Sequence, residues 1–220
     1  MNLKIIYEDN HLIIVEKPPN IPVQRDESKD LDLLTMVKQY IKKKHQKPGN
    51  VYIGLVHRLD RPVGGVMVFA RTSKAASRLS EMIRNQEFHK TYLAVVHGQL
   101  ENKTGSLENY LLKNNQINKS KIVNSEMKGS KLAVLSYRVI KYDSISDLSL
   151  VEINLQTGRH HQIRVQFSHI NHPILGDQRY GKKSDKGLPI YLWAKEISFT
   201  HPVNKQTVKF KCIPSWFTLH

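Results

Sequence analysis

One uninterrupted apolar segment, "GGVMVFA" at Gly64–Ala70, limits the possible folds of this chain most strongly. A run of this kind does not alternate between apolar and polar residues, which is typical of a strand buried on both faces. The segment therefore predicts a central strand of a well-covered sheet. It follows directly after "HRLDRPV", a basic stretch that contains a single carboxylate, Asp60.

The residues before this strand predict two more strands and a helix. "LKIIYED" and "HLIIVEKP" have the composition of strands, and they are separated by a turn at Asp9-Asn10. Apolar residues then recur at helical spacing, with Asp30 as the predicted cap. The inner face of this helix is predicted to contain Leu33, Leu34, Val37 and Ile41. Its basic end, "IKKKHQK", is compatible with a solvated helix end or with contacts to phosphate groups.

The residues after the apolar strand predict an α+β fold with a mixed, mainly antiparallel sheet. A second helix is expected to start at Ser73 as its cap, with an inner face of Ala76, Leu79, Met82 and Ile83. "HHQIRVQFSHI" predicts a third helix. Strands are predicted for "KTYLAVVHG", "KLAVLSYRVIKYD", "LSLVEINLQTG", "YLWAKEISFTHP" and "QTVKFKCIP". The polar residues 102–130 indicate hairpins and mobile loops.

The charge balance indicates a polyanionic partner. The chain has 220 residues, with 34 lysines and arginines against 19 acidic residues, which gives a formal net charge of +15. An excess of this size informs about partners rather than about the fold, and nucleic acids are the usual polyanions. A basic protein of the membrane surface would normally show an amphipathic basic helix or a lipidation signal, and neither stands out here.

The cysteine content and the first residues predict a cytoplasmic protein. Cys212 is the only cysteine, which excludes an internal disulfide and a cysteine-rich zinc site. The opening segment carries charges inside its apolar stretches, unlike a signal peptide. No apolar run approaches the roughly 20 residues that a membrane helix needs. We therefore expect no membrane association.

Asp60 in "HRLDR" has two interpretations from the residues alone. It can be a surface ion pair, worth about 0–1 kcal/mol. Alternatively, the neighbouring guanidinium groups hold the carboxylate ionised in a partly dry cleft by lowering its pKa. Such a carboxylate can act as a nucleophile or an electrostatic stabiliser, whereas it is poorly suited to be a general acid.

Several other chemistries fit the sequence badly. Glycoside hydrolysis usually needs two carboxylates, and the only acid in the later basic segments, Asp177, is expected to tie down a turn. The histidines of the same region lack the spacing of a helical zinc pair; they are His160, His161, His169 and His172. "GDQRYGKKS" departs from a phosphate-binding loop at Lys183, and no nucleophile elbow is visible. We therefore expect no metal and no nucleotide cofactor.

Together, the segments "HRLDR", "HKTYLAVVHG" and "TGRHHQIRV" resemble the motifs of the pseudouridine synthases, specifically the RluA-like branch. "YEDNHLIIVEKP" and "HPILGDQRYG" continue the resemblance over nearly the whole chain. It implies one catalytic domain over residues 1–220, with two sub-lobes that share one sheet and a catalytic cleft between them. Because "YEDNHLIIVEKP" starts almost at Met1, the small RNA-binding module that often precedes this domain is expected to be absent.

The resemblance also implies roles for individual residues. Asp60 matches the catalytic aspartate, Tyr92 the active-site tyrosine that stacks on the uracil, and Arg164 the basic partner of the aspartate. Arg58 resembles the arginine that holds the flipped-out state of the base. Without the motifs, the residues alone favour a core tyrosine for Tyr92 and a salt-bridged scaffold residue for Arg58.

The remaining basic residues have open assignments. Arg159 and His161 either contact RNA phosphates or orient the third helix. The lysines at 42–44 and 182–183 suit attraction to an RNA backbone, which salt weakens. The implied activity is isomerisation of uridine in ribosomal or transfer RNA by a monomer that uses no cofactor.

Two alternatives remain at this point. One is a non-catalytic RNA-binding or RNA-folding protein with the same fold, and the other is an RNA glycosylase that releases free uracil. The chain also departs from the family pattern at His160, at Gln166 and at Val63-Gly64-Gly65, where Thr-Ser-Gly is more usual. None of these departures replaces a matched catalytic position, but the glycine pair has no explanation in the sequence.

Overall fold

Strands dominate the part of the chain that the computed structural model describes, residues 3–46 and 48–219. In chain order the elements are β1 (Lys4–Glu8), β2 (Leu12–Lys17), α1 (Leu33–Lys44), β3 (Gly54–Leu55), β4 (Gly64–Ala70), α2 (Ser73–Arg84), β5 (His89–His97), β6 (Thr104–Asn114), β7 (Lys119–Val123), β8 (Lys131–Asp143), β9 (Leu148–Leu155), α3 (Gln162–His169), β10 (Leu192–Thr200) and β11 (Thr207–Lys211). Short 3₁₀ segments occur at Lys183–Asp185 and Ser215–Leu219. The predicted α+β class is confirmed.

These elements form two units. The first contains the described residues of Met1–His89 together with Ala194–Pro214, and the second contains those of Lys90–Trp193 with Ser215–His220. Every strand pair with a defined register inside either unit is antiparallel. The predicted dominance of antiparallel pairing is therefore confirmed. In the described part of the chain, no helix is long and apolar enough to cross a membrane.

The first unit is built around β4. Its strands follow the order β1-β2-β4-β10, with β11 paired to β10 and β3 paired to β4. All seven residues of β4 are buried, as the apolar run predicted. In the pairing of β2 with β4, Leu12 lies opposite Ala70 and Lys17 lies opposite Gly65. This register places the end of β2 beside the start of β4.

The packing of β4 explains one of the two glycines that were unexplained in the sequence. Gly65 has a φ of +133°, a conformation that favours glycine. A Cβ atom at this position would lie 2.3 Å from the carbonyl oxygen of Ala194 and 2.6 Å from its nitrogen. Because backbone atoms cannot move aside like a flexible side chain, only glycine permits this close approach to β10.

Both helices of the first unit begin at caps other than the predicted ones. The Asp32 carboxylate accepts a hydrogen bond of 2.9 Å from the amide of Thr35, so Asp32 caps α1 instead of Asp30. Asp30 is engaged with Arg61 instead. The Thr72 hydroxyl accepts from the amide of Ala75 at 3.2 Å, so α2 is capped one residue before Ser73. The predicted caps were wrong because several capping residues are adjacent and only backbone geometry selects among them.

The predicted inner faces of these helices are partly confirmed. The buried residues of α1 are Leu33, Met36, Val37 and Ile41, and those of α2 are Ala75, Leu79 and Met82. Leu34, Ala76 and Ile83, which were also predicted to face inward, are only half-buried. The helical period was therefore correct, while the apolar stripe is rotated slightly from the predicted position.

The basic end of α1 surrounds a single carboxylate, Glu8. Lys44 Nζ lies 2.8 Å from Glu8 Oε2, and His45 Nε2 and Arg71 lie 2.7 and 3.0 Å from Oε1. Burial alone would raise the pKa of Glu8, but Lys44, His45, the Tyr40 hydroxyl and Arg71 outweigh it and lower the pKa to about 2. This geometry favours the helix-end interpretation for Lys44. Lys47, in the same predicted run, lies outside the described residues.

The second unit has the strand order β5-β9-β8-β6-β7, with α3 packed on β6 and β7. The core under α3 contains Leu111, Ala133 and Val165, with Ile122 and Tyr180 packed against it. Residues 102–130, predicted as hairpins and mobile loops, are largely ordered strands. The hairpin prediction is therefore confirmed, and the prediction of mobile loops is wrong for most of this stretch, because β6 and β7 pair and cover the core.

Candidate active site

Asp60 lies in the turn between β3 and β4, in the first unit. The turn is closed by a hydrogen bond of 3.0 Å from the Val63 amide to the Asp60 carbonyl oxygen. Asp60 itself is half-buried. The position at the start of a fully buried strand gives this carboxylate a rigid base, and a partly covered carboxylate can interact strongly with nearby charge.

A buried lysine fixes the Asp60 turn from below. Lys17 has no exposed surface, and its ammonium group donates to the carbonyl oxygens of Arg61 (2.9 Å), Val63 (2.7 Å) and Pro18 (3.0 Å). Two of these carbonyls belong to residues one and three positions after Asp60 in the chain. An ammonium group has three N–H donors, so the three carbonyls use all of them. Lys17 therefore positions the Asp60 turn.

The charge of Lys17 is sensitive to its surroundings. Burial lowers the pKa of Lys17, the Asp60 carboxylate opposes this change and the Arg61 charge adds to it, and the net result is a pKa of about 7. A role for Lys17 was not predicted from the sequence. A usable signal was present, because a lysine at the end of the apolar strand "HLIIVEK", directly before Pro18, cannot easily reach solvent from that position.

The two arginines next to Asp60 in the chain have different surroundings. Arg61 forms ion pairs with Asp30 and Asp26, the latter at 3.5 Å, and donates to Ser28 Oγ at 3.0 Å. The Arg58 side chain is exposed. Three acceptors of the loop before α1 therefore engage Arg61, and the sequence did not predict these partners.

His57 has a structural contact. Its Nε2 accepts a hydrogen bond of 3.2 Å from the Val68 amide of β4, and its ring lies 5.5 Å from that of Phe88. These contacts attach the beginning of the turn to the sheet. His57 therefore supports the turn from the opposite end to Lys17.

Tyr92 lies on β5, in the second unit, with 7% of its surface exposed. It pairs with Ile153 of β9, inside a strand whose next four residues are all buried. The backbone of Tyr92 is thus held by its pairing with β9. A tyrosine in this setting combines a fixed aromatic face with a phenol that requires a polar neighbour.

Arg164 is buried in α3 and paired with a buried carboxylate. Its Nε donates to Asp177 Oδ2 at 2.8 Å and its second terminal nitrogen donates to Oδ1 at 2.7 Å. Burial would raise the pKa of Asp177, but Arg164 and the amides of Arg179 and Tyr180 outweigh it and hold the pKa below its usual value. Asp177 therefore ties down a turn, as predicted, and also orients Arg164, a role that the sequence analysis missed.

Tyr180 connects Arg164 to the start of α3. The Arg164 guanidinium carbon lies 5.3 Å from the centre of the Tyr180 ring, and the Tyr180 hydroxyl lies 2.9 Å from His161 Nδ1. His161 is buried and has a left-handed backbone, with a φ of 54°, just before α3. These contacts support the interpretation that His161 orients the helix.

Arg159 differs from His161 because its side chain is exposed. Its Nε donates to the Leu132 carbonyl at 2.7 Å, and its backbone amide donates to Gln162 Oε1 at 3.0 Å. The backbone and the first nitrogen of the guanidinium are thus fixed. The two terminal nitrogens remain available in a position that is open to solvent.

Two histidines of this region form hydrogen bonds with oxygen atoms of other residues. His160 Nδ1 lies 2.9 Å from Ser120 Oγ, and His172 Nδ1 lies 2.8 Å from the His97 carbonyl oxygen. Within residues 3–46 and 48–219, no group of three or more His, Cys, Asp or Glu residues is arranged to hold a metal ion.

Each unit therefore presents predicted site residues on a rigid base. The first unit contributes Asp60 and Arg58, and the second contributes Tyr92, Arg164 and the residues that lead into α3. A fixed carboxylate can act as a nucleophile or base, and a fixed guanidinium can stabilise a negative charge.

Comparison with known proteins identifies the family. Residues 11–169 match the model of the RNA pseudouridylate synthases. The ribosomal large subunit pseudouridine synthase C of Buchnera aphidicola subsp. Acyrthosiphon pisum is 32% identical over 216 residues, which cover 94% of this chain and 66% of that protein. The tRNA pseudouridine synthase C of Vibrio vulnificus is 31% identical, with 94% of this chain and 88% of that protein covered.

Solved structures support the fold. The human RNA pseudouridylate synthase domain containing 4 protein superposes with a TM-score of 0.81 at 23% identity, over 98% of this chain and 90% of that chain. This chain spans slightly less than two thirds of the length of the ribosomal synthases from three Buchnera aphidicola strains. The matched range contains the positions of Asp60, Tyr92 and Arg164. The chain therefore belongs to the RNA pseudouridylate synthase family.

Proposed function

We propose that this chain is an RNA pseudouridine synthase that isomerises uridines within ribosomal or transfer RNA. The observation that carries the proposal is the family match over residues 11–169, which includes all three predicted catalytic residues, Asp60, Tyr92 and Arg164. The rigid Asp60 turn adds physical support. Lys17 fixes the two carbonyls that follow Asp60, so the carboxylate is presented in a defined place.

The proposed reaction starts with an ionised Asp60. The bond between N1 of uracil and C1′ of ribose breaks, and the uracil takes the bonding electrons. Asp60 either forms a bond to C1′ or removes a ribose proton to assist elimination. After the base has turned, C5 bonds to C1′, and Asp60 either leaves C1′ or returns the proton that it took from the ribose. C5 then loses its proton and N1 gains one. The product therefore has the same composition and mass as the substrate.

The other predicted site residues serve this reaction in defined ways. Tyr92 offers its ring to the uracil and its hydroxyl to the reacting carbon. Arg164 supplies the positive charge that keeps Asp60 ionised. Arg58, which is exposed, takes the place of the base when the base leaves its stack, since uridine must be extruded to be reached.

We further propose that residues 1–220 act as a single catalytic domain with two sub-lobes and a cleft between them, as a cytoplasmic monomer without a metal or a nucleotide cofactor. Arg159 contacts an RNA phosphate, and His161 acts on the site through α3. The net charge of +15 supports binding to a polyanion. The related proteins named above act, by their names, on the ribosomal large subunit or on tRNA, which is the basis for this choice of substrates.

The test is product analysis with the full chain. Total RNA from cells that lack the gene is incubated with the purified protein, and pseudouridines are mapped in comparison with untreated RNA. We expect new pseudouridines at specific positions and no change in the mass of the RNA. Release of free uracil would identify a glycosylase instead, and RNA binding without any isomerisation would identify a non-catalytic RNA-binding protein.

A further inference from the structure

A cavity of about 350 Å³ lies in the second unit, next to the loop that leads into α3. It is formed by the β6–β7 hairpin, the beginning of β8 and residues 158–160. The side chains that give it its character are Lys113, Ser120, Lys131, Arg159 and His160. Its volume is within the range of small-ligand sites, so the space suffices for a nucleotide as well as for a simple anion.

Strand register places these side chains on one face of the sheet. Lys113 lies opposite Ser120, and Leu111 lies opposite both Ile122 and Lys131. Residues directly opposite each other on paired strands point to the same face, as do residues two apart. Leu111 packs into the core under α3. Lys113 and Ser120 therefore continue the same face beyond the apolar core, towards Arg159 and His160.

The lining of this cavity is basic and contains no carboxylate. Lys113, Lys131 and Arg159 form no ion pair with an acidic side chain in the part of the chain that the structure describes. Three cationic side chains that share one concave surface repel one another unless an anion binds between them. The cavity thus carries positive charge that no acidic side chain of its lining balances.

A further lysine increases the positive charge behind the cavity. Lys90 Nζ lies 3.3 Å from the position that a Cβ atom on Gly158 would occupy, and Gly158 is part of the cavity wall. Burial lowers the pKa of Lys90, and the charge of Arg159 lowers it further. No acidic group among the described residues contributes to this change, which agrees with an excess of positive charge at this place.

The walls of the cavity are fixed by hydrogen bonds that do not use its cationic groups. Ser120 Oγ lies 2.9 Å from His160 Nδ1, and the His160 ring stacks on that of His161 at 3.7 Å. The Ser120 amide donates to the Tyr180 hydroxyl at 2.7 Å. The hairpin is therefore attached to the loop before α3, and the site exists before a ligand binds.

We propose that this basic cavity binds a nucleotide of the RNA substrate through its phosphodiester group, at a place separate from the reacting uridine. The terminal nitrogens of Arg159 donate to two phosphate oxygens, a geometry that a planar guanidinium favours. Lys113 and Lys131 supply point charges. This inference rests on the proposed function for the identity of the anion, since RNA is the polyanion that a pseudouridine synthase binds.

The experiment compares two double variants of the full chain. Lys113→Ala/Lys131→Ala removes two charges from the cavity. Lys121→Ala/Lys141→Ala removes two charges from exposed positions of the same unit, and Lys121 points to the opposite face of β7. Kd for a short fluorescein-labelled RNA of mixed sequence is measured by anisotropy over a range of salt concentrations. A second series uses an RNA without uridine.

For the cavity variant we expect an affinity loss of at least about tenfold near physiological salt, and a slope of log K against log salt that is smaller by about 1.4, since each phosphate contact to a single strand contributes about 0.7. The control variant is expected to keep most of the parental slope. KM for isomerisation should rise in the cavity variant, with a much smaller change in kcat. Equal slopes and equal affinities in the two variants would overturn the proposal.

Two outcomes separate this inference from the proposed function. In the first outcome, the cavity and control variants differ in salt slope with the RNA that lacks uridine, but the parent forms no pseudouridine in any RNA. This outcome would support the cavity as an RNA site and refute the synthase assignment. A calorimetric titration of the parent with inorganic phosphate tests whether the cavity binds the phosphate groups of RNA or free phosphate. Phosphate binding that disappears in the cavity variant, with unchanged RNA affinity, would overturn the assignment to RNA.

Discussion

The two units fix their charged site residues in different ways. In the first unit, the Asp60 turn is fixed by Lys17, a buried cation that binds only neutral carbonyl oxygens. In the second unit, Arg164 is fixed by Asp177, a buried anion that binds it through two parallel hydrogen bonds. One charge is thus stabilised by dipoles, and the other by a full opposite charge.

The difference predicts how each unit responds to pH and to mutation. A cation among carbonyl dipoles loses much of its hydration, and the charge of Asp60 compensates for this loss only in part, so the pKa of Lys17 falls. A bidentate ion pair keeps both groups charged until the carboxylate is protonated, which happens only in acid. The first unit should therefore be sensitive near neutral pH, and the second mainly at low pH.

The largest effect is expected for Arg164→Ala. Removing one member of a buried ion pair leaves Asp177 without its charge partner, which costs about 3–5 kcal/mol in the free energy of unfolding. Activity should fall by about 10²–10³-fold, the usual result of removing one electrostatic stabiliser. If Arg164 keeps Asp60 ionised, the acidic limb of the pH–rate profile should also move to higher pH.

Arg164→Lys is the matched control, because it keeps the charge but cannot form both hydrogen bonds. It should retain more stability than the alanine variant while the activity stays low. A pH–rate profile of Arg164→Ala that coincides with that of the parent would contradict the role of Arg164 as the partner of Asp60.

A somewhat smaller effect is expected for Asp177→Asn. The amide keeps the shape and one acceptor, so we expect a loss of about 2–4 kcal/mol in the free energy of unfolding, since a buried guanidinium loses its counter-charge. The folded-state pKa of Asp177 is lowered, so its contribution to stability is present above the usual pKa of about 4 and is lost as the pH falls below it.

Chemical denaturation between neutral and acidic pH checks this prediction. The parent should lose stability relative to Asp177→Asn as the pH decreases towards the range in which Asp177 is protonated. A constant difference between parent and variant over that range would show that the carboxylate does not stabilise Arg164 through its charge.

A still smaller loss, about 2 kcal/mol in the free energy of unfolding, is expected for Lys17→Met. The carbonyls of Arg61 and Val63 lose their donor, but the cost of burying a charge also disappears, which limits the loss. The activity should fall about tenfold as the Asp60 turn loosens. Lys4→Met is the control, since its exposed ion pair with Glu16 is worth about 0–1 kcal/mol. Equal activities of the two variants would contradict the positioning role.

The pH dependence of this comparison has a definite sign. Lys17 has a pKa of about 7 in the folded state, below the ordinary lysine pKa of 10.5, so between these values only the unfolded chain keeps the proton. The parent should therefore gain stability relative to Lys17→Met as the pH rises from 7 to 10, by up to about 1.4 kcal/mol per pH unit. A difference that stays constant over this range would contradict a lowered pKa.

Local patterns in the sequence predicted the elements better than they predicted the partners. The uninterrupted run of β4 and the helical spacing of α1 were sufficient, because burial and period depend on neighbouring residues. The caps Asp30 and Ser73 were wrong by one or two positions, because adjacent capping residues differ only in backbone geometry. Gly65 was explained only by the approach of Ala194, which is distant in the chain.

The predicted site shows the same difference between local patterns and partners that are distant in the chain. The motifs predict Asp60, Tyr92 and Arg164 as site residues, since each motif is a short contiguous segment. Lys17 could not be connected with the Asp60 turn, because its carbonyl partners are 44 and 46 residues away in the sequence. The charge pattern also did not predict the partners of Arg61, because Arg61 is adjacent to Asp60 in the chain but pairs with the loop before α1.

The central claim is that Asp60 performs the reaction, and the variant Asp60→Asn tests it most directly. Pseudouridine formation is measured on the RNA that the parent modifies, and RNA affinity and thermal unfolding are measured on the same preparations. We predict that isomerisation disappears while RNA binding and folding remain close to those of the parent, because the amide keeps the shape of the side chain but cannot act as a nucleophile or base. Turnover near the parental rate in this variant would contradict the assignment.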